Sequence, residues 1–247
     1  MVRGMARQPR IHLPGLPLHI VQRGHNRQAC FFAVGDYLRY LHWLGEALRA
    51  TRIKLHAYVL MTNHVHLLLT PQDASAVPLA MISLGRRYVQ SVNKRYARTG
   101  TLWDSRYHAS IVCSDSHLLA CQRYIELNPV RAGMVCEPAQ YRWSSFRCNA
   151  LGKSDKLISA HPTYGELGRS DAARRREYRQ LFERGHDATV AAEIRLAVNQ
   201  NQPLGPMSFQ VAISDLAGSD RRVRPRGRPR VSRDLPKFDD AQAPDWP

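Results

Sequence analysis

Two histidines, His64 and His66, stand two residues apart inside the apolar run His56-Ala-Tyr-Val-Leu-Met-Thr-Asn-His-Val-His-Leu-Leu-Leu-Thr70. In a β-strand, side chains at i and i+2 leave the same face. Val65, Leu67 and Leu69 then point into a core while both imidazoles point together at whatever lies opposite, a geometry that grips one metal ion. The pair alone does not define a chemistry. Two polar residues on the open face of a half-buried strand are the plain alternative, and a third ligand and a nucleophile are needed to decide between them.

Elements must hold those residues, and composition bounds what they belong to. The chain has 247 residues and 44% hydrophobic content, enough for one large domain or a medium domain with appendages. Its formal net charge of +16 signals a polyanionic partner, nucleic acid first, with a ribosomal or membrane-surface role as the alternative. Residues 1–150 carry 19 Lys+Arg against 7 Asp+Glu, so most of the excess travels with the histidine pair. Cys30, Cys113, Cys121, Cys136 and Cys148 are odd in number and show no C-x-x-C spacing, which suggests neither a disulfide framework nor a zinc ribbon. No apolar run approaches the roughly 18 residues of a membrane span, and the N-terminus lacks an apolar signal core. The expected location is therefore the cytoplasm, with no membrane partner.

Along the chain, Leu18-His-Ile-Val-Gln-Arg23 reads as a strand and Gly24-His-Asn-Arg27 as a turn. Residues 36–50 carry Leu38, Leu41, Leu44 and Leu48 at amphipathic-helix spacing, with Asp36 as the expected N-cap. A strand ending near Met61 precedes the histidine strand, and a helix over 77–96 bears Arg86, Arg87, Lys94 and Arg95. Residues 102–108 predict an exposed strand extended by Ile111-Val112, and residues 116–127 a helix with a soft end before Pro129. Beyond Ala150 the sequence turns polar, with weaker helical segments at 172–182 and 188–199. Strands alternating with two helices over residues 18–130 suggest an α+β fold. Helices would cover one face of a small antiparallel sheet, leaving the other face for a substrate.

Three segments in order resemble the REP-associated tyrosine transposases, a branch of the HUH single-strand DNA transposases with an IS200-like transposase domain. They are Val21-Gln-Arg-Gly-His-Asn-Arg-Gln28, Leu60-Met-Thr-Asn-His-Val-His-Leu-Leu68 and Arg123-Tyr-Ile-Glu-Leu-Asn-Pro-Val-Arg-Ala-Gly-Met-Val135. Tyr141-Arg-Trp-Ser-Ser145 and Leu102-Trp103 with Arg106 also match, so the likeness spans about residues 10–150. Thr62 departs from the proline the family usually has there. The resemblance implies a catalytic domain over 10–150, and the composition beyond it gives a polar, partly helical extension over 151–219 and a basic tail over 220–247. It further implies a ferredoxin-like sheet carrying His64 and His66 as metal ligands, Tyr124 as the nucleophile on a nearby helix, and Asn128 as the third ligand. Tyr124 and Asn128, at i and i+4, would share one helix face.

Two neutral imidazoles and a carboxamide leave a divalent charge unneutralised and coordination positions open, which suits the oxygens of a phosphodiester. Imidazole favours Mn²⁺ and oxygen favours Mg²⁺, so either ion is expected to serve, and zinc is not. A tyrosine phenol, ordinarily ionising near pH 10, needs help to attack phosphorus at neutral pH. Attack would expel a 3′-hydroxyl and leave a 5′-phosphotyrosine whose bond energy permits rejoining without ATP.

Arg23, Arg27, Arg86, Arg87, Lys94, Arg95, Arg106, Arg123 and Arg131 are candidate phosphate contacts, and Tyr88, Trp103 and Tyr107 candidate stacking platforms for unpaired bases, with core packing the favoured role for Trp103. In the tail, Pro225-Arg-Gly-Arg-Pro229 is similar to an AT-hook, whose Arg226 and Arg228 would enter a narrow minor groove; a solvated, non-binding tail is the alternative. The resemblance implies a DNA partner made of a hairpin repeat flanked by single strand, a nucleoid-associated location, no small-molecule substrate and a monomeric state, with a dimer left open. Two competing functions remain at this point: a DNA-binding protein that occupies repeats without cutting, and a metallohydrolase of small molecules.

Overall fold

Strands β1 (Leu18–Arg23), β2 (Lys54–Met61), β3 (His64–Thr70) and β4 (His108–Ile111) form one antiparallel sheet in the order β2-β3-β1-β4. This architecture comes from a computed structural model, in which residues 10–183 and 188–218 are described. Helix α1 (Val34–Thr51) links β1 to β2, and α2 (Ala76–Arg95) links β3 to β4. Crossovers in one sheet are right-handed, so both helices fall on the same face, where they pack on each other. The result is the ferredoxin-like α+β fold that the sequence suggests.

Register sorts the side chains. Val21 pairs with His66, His19 with Leu68 and Arg23 with His64, so all six project from one face of the sheet. Leu18, Ile20, Val65, Leu67 and Leu69 project from the other and are fully or almost fully buried. Because β1 and β3 are central strands, the histidine pair lies mid-sheet. Thr62 and Asn63 make the tight β2-β3 turn; the Thr62 carbonyl accepts the Cys30 and Phe31 amides and the Asn63 carbonyl the Gly24 amide, which clamps the turn to the segment after β1.

The histidine face is not left bare. Helix α3 (Ser114–Glu126) lies across β2 and β3, burying His19 and His66, because its own apolar side, with Leu118, Cys121 and Ile125, needs cover as much as the sheet does. A short α4 (Asn128–Arg131) follows after a break at Leu127, where Pro129 cannot donate the helical hydrogen bond. Beyond it come α5 (Phe146–Asn149), α6 (Pro162–Gly165), α7 (Asp171–Glu183), α8 (Ala188–Gln200) and α9 (Met207–Leu216), of which α5, α6 and α9 are unforeseen in the sequence.

Two local expectations need correction. Asp36 is not the N-cap of α1: Ala33 is, and Asp36, three residues on, reaches back to accept the Phe32 and Ala33 amides at 2.9 and 3.0 Å. Residues 102–107 are not an exposed strand. The polar run Asp104-Ser105-Arg106 interrupts the alternation, and Leu102, Trp103 and Tyr107 turn inward.

The extension belongs to the main core as much as the sheet does. Ile194, Ala197, Leu204 and Ile213 join the same buried cluster as the strands. Residues 201–204 run beside β4, where the Leu204 amide donates to the Ile111 carbonyl at 2.7 Å and the Asn201 side chain accepts the Ala109 amide at 3.0 Å. Arg226, Arg228 and the rest of the basic tail lie outside the described residues.

Candidate active site

One pocket of about 330 Å³ gathers His64, His66, Tyr124 and Asn128, together with Arg23, Arg131, Arg195 and Asn199. Strand β3 supplies the imidazoles, the end of α3 the phenol, and the start of α4 the carboxamide. The break at Leu127 does not separate Tyr124 from Asn128.

Hydrogen bonds orient both imidazoles. The Nδ1 of His64 donates to the Asn63 side-chain oxygen at 2.6 Å, since a carboxamide oxygen can only accept, and this leaves Nε2 unprotonated in the neutral ring. The Nδ1 of His66 lies 2.8 Å from the Nε2 of His19, its neighbour from β1 on the same face. The His64 and His66 rings stand 5.1 Å apart between centroids. Burial first, with Arg23 and Arg131 adding repulsion and the Asn128 side chain opposing them, lowers the His64 pKa to about 4. Burial first, then His19, His64 and the two arginines, holds His66 well below its ordinary value. Both imidazoles are therefore neutral near pH 7, the form that ligates a metal.

The donor set is two oriented neutral imidazoles and one carboxamide, which fits a divalent ion that keeps oxygen ligands in its remaining positions. Among the described residues, no cluster of three His, Cys, Asp or Glu side chains offers a competing centre, and the third donor here is an amide. That set suits Mg²⁺ or Mn²⁺ and lacks the thiolate or third histidine expected of a zinc site.

Tyr124 is held from several sides. Its ring lies in T-shaped contact with those of His19 and His66, 6.0 Å between centroids in each case, and the Arg131 guanidinium stacks 4.0 Å from its centroid. Arg131 also donates to the Tyr124 carbonyl at 2.7 Å, joining α3 to α4.

The predicted basic residues divide. Arg23 and Arg131 line the pocket. Arg27 and Arg106 are exposed, in the turn after β1 and before β4, and Arg123 lines two adjoining pockets beside α3. Arg86, Arg87, Lys94 and Arg95 are on α2, on the face opposite the histidines, and Arg87 pairs with Glu46 of α1. These four are not gathered with the site. Nor are Tyr88, Trp103 and Tyr107 available for stacking on bases: they are at most 8% exposed, Tyr88 and Trp103 within an aromatic cluster with Tyr40 and Tyr107 beneath Arg10. Aromatic rings large enough to stack on a base are also the ones that best fill a core.

His19, Arg195 and Asn199 were missed by sequence reasoning. Residues 19, 21 and 23 share a strand face, but only the β1-β3 register sets His19 beside His66. No local pattern links α8 to the histidines.

Residues 13–128 match the family described as transposase IS200-like. Among solved structures, a REP-associated tyrosine transposase bound to a REP hairpin superposes with a TM-score of 0.52 at 17% identity, covering 64% of this chain and 93% of that one, a likeness of fold. A chain from Deinococcus radiodurans R1 assigned as a transposase is 27% identical, with a TM-score of 0.34, over 49% of this chain and 96% of its own. No curated protein matches significantly. Among the described residues no helix is long and apolar enough to cross a membrane. With the sheet, the paired imidazoles and the facing tyrosine in view, the likeness of residues 13–128 is to the IS200-like transposase family.

Proposed function

We propose that the protein nicks and rejoins single-stranded DNA at hairpin-forming repeats, with Tyr124 as nucleophile and His64, His66 and Asn128 holding a Mg²⁺ or Mn²⁺ ion. The observation that carries this reading is the convergence of those four side chains, from two distant stretches of the chain, on one pocket. The REP hairpin in the solved relative of similar fold supports a substrate of the same kind.

In this mechanism the Tyr124 phenol oxygen attacks phosphorus, the P–O3′ bond breaks, and a 5′-phosphotyrosine forms. The phenol loses one proton and the departing 3′ oxygen gains one, so no co-reactant is consumed and a free 3′-hydroxyl reverses the step. Arg131 stacks on the ring, and His19 and His66 lie steeply inclined to it, so three side chains restrict its orientation. Arg23 and Arg131 supply positive charge where the phosphate oxygens would lie. A divalent ion bound at the imidazoles would add Lewis-acid polarisation of the phosphodiester.

The test is a nicking assay on a single-stranded oligonucleotide carrying a hairpin, in Mn²⁺. The unaltered protein should cleave and leave a covalent 5′-phosphotyrosyl adduct, and Tyr124→Phe should bind with similar affinity but not cleave. Cleavage by the Phe variant would remove Tyr124 from the mechanism. Binding without cleavage by the unaltered protein would favour the repeat-occupying alternative.

A further inference from the structure

Helix α8, outside the matched domain, brings Arg195, Val198 and Asn199 into the wall of the pocket that holds the histidines and Tyr124. Arg195 and Asn199 are four residues apart and so share one helix face. The buried side of the helix, with Ile194, Ala197 and Val198, packs toward the sheet and α3, and leaves that face turned to the site. The position is tethered at both ends. His117 of α3 lies 3.6 Å from Glu193, and the segment after the helix is hydrogen-bonded along β4 through Asn201, Gln202 and Leu204.

The charge pattern is that of an anion site. Three guanidiniums, Arg23, Arg131 and Arg195, line the pocket, and none of its lining residues is Asp or Glu. Arg195 is close enough to Arg131 to disfavour its charged form, after the larger effect of burial. Like charges gathered this way repel one another, and the repulsion is relieved when an anion is seated between them.

We infer that Arg195, from the C-terminal extension, binds a backbone phosphate of the single strand beside the scissile linkage, with Asn199 as a second hydrogen-bond donor to the same strand. This rests on the strand-cleavage reading above and extends it: the binding site is completed by α8, so the extension is part of the substrate-binding machinery. An anion cradle of three arginines is also sequence-tolerant, because phosphate contacts position a strand without reading its bases.

The experiment measures equilibrium binding of a short single-stranded oligonucleotide by full-length protein carrying Tyr124→Phe, so that cleavage plays no part. Arg195→Gln should lower affinity about five- to tenfold and flatten the dependence of log K on log salt by about 0.7, the value of one phosphate contact on a single strand. Arg195→Lys, which keeps the charge, should regain most of the loss. The control is Arg176→Gln on α7, an exposed arginine beside Glu177 that reports only the general fall in net charge. Matched melting curves show that each variant is folded. If Arg195→Gln behaves like Arg176→Gln, the inference is overturned; if it binds more tightly than the parent, α8 acts as a cover over the site and the inference is likewise overturned. Either result leaves the nicking test on Tyr124 standing, and an active Tyr124→Phe enzyme would leave this phosphate contact standing.

Discussion

His19 decides which nitrogen of His66 faces the pocket. If His66 Nδ1 donates to His19 Nε2 across 2.8 Å, the outward Nε2 keeps its lone pair and can ligate; in the opposite tautomer it carries a proton and cannot. The first arrangement leaves the His19 Nδ1–H buried without a hydrogen-bond partner, so on the proposed metal reading a bound ion would supply the preference. On the proposed metal reading, His19→Phe is expected to weaken Mn²⁺ binding by about 10- to 100-fold, the usual effect of losing such a support. His19→Gln, whose side-chain oxygen can accept from His66, should recover part of the loss. Titration of Mn²⁺ by electron paramagnetic resonance measures both, and unchanged affinity in the Phe variant would reduce His19 to a packing residue.

At the scale of elements, one buried carboxylate joins three helices. Glu126, at the end of α3 and fully buried, accepts the Ser145 hydroxyl at 2.6 Å and the Asn149 side-chain amide at 2.8 Å on one oxygen, and the Tyr178 hydroxyl at 2.8 Å on the other. The junction of α3, α5 and α7 thus lies two residues from Tyr124 on the same helix. Burial raises the Glu126 pKa to about 7, with the three donors opposing it. A carboxyl whose folded pKa lies above its unfolded value contributes most below the unfolded value, and that contribution is lost as pH rises through the folded one. Between pH 5 and 8 the loss is about 2 kcal/mol. Thermal denaturation followed at pH 5, 6.5 and 8 should show stability falling with pH, and Glu126→Gln should flatten that slope. An identical slope in the Gln variant would mean that other groups set it.

The whole molecule carries its charge unevenly. The three pocket arginines concentrate positive potential on the histidine face, while Arg86, Arg87, Lys94 and Arg95 lie on the opposite face. Single-strand binding should therefore depend on the first set, and the second should act as long-range attraction that salt screens. The tail adds six arginines between Arg221 and Arg230. Deleting residues 220–247 is expected to weaken binding of a hairpin about tenfold at moderate salt while changing single-strand affinity less, because the AT-hook-like segment suits a duplex minor groove. Gel-shift titrations with a hairpin and an unstructured strand distinguish the two, and an unchanged hairpin affinity would make the tail a solvated appendage.

Much of this arrangement was legible in the chain. The observed β1 (Leu18–Arg23) has the predicted bounds, and α1, α2, α3, α7 and α8 lie within a few residues of theirs, because alternation and the helical period are local properties that backbone geometry imposes. The H-x-H pair, the tyrosine with its asparagine four residues on, and the basic excess were all visible as residue types at short spacing. The folded chain alone decided that α3 covers the histidine face, that Tyr107 turns inward, that α2 carries its arginines away from the site, and that His19 and Arg195 join it. His66 is 47 residues from its hydrogen-bond partner His19, and Arg195 stands 71 positions beyond Tyr124 in the sequence. Contacts at such separations come from strand register and helix docking. They are set by how apolar faces close on one another across the whole core, and no short-range pattern records them.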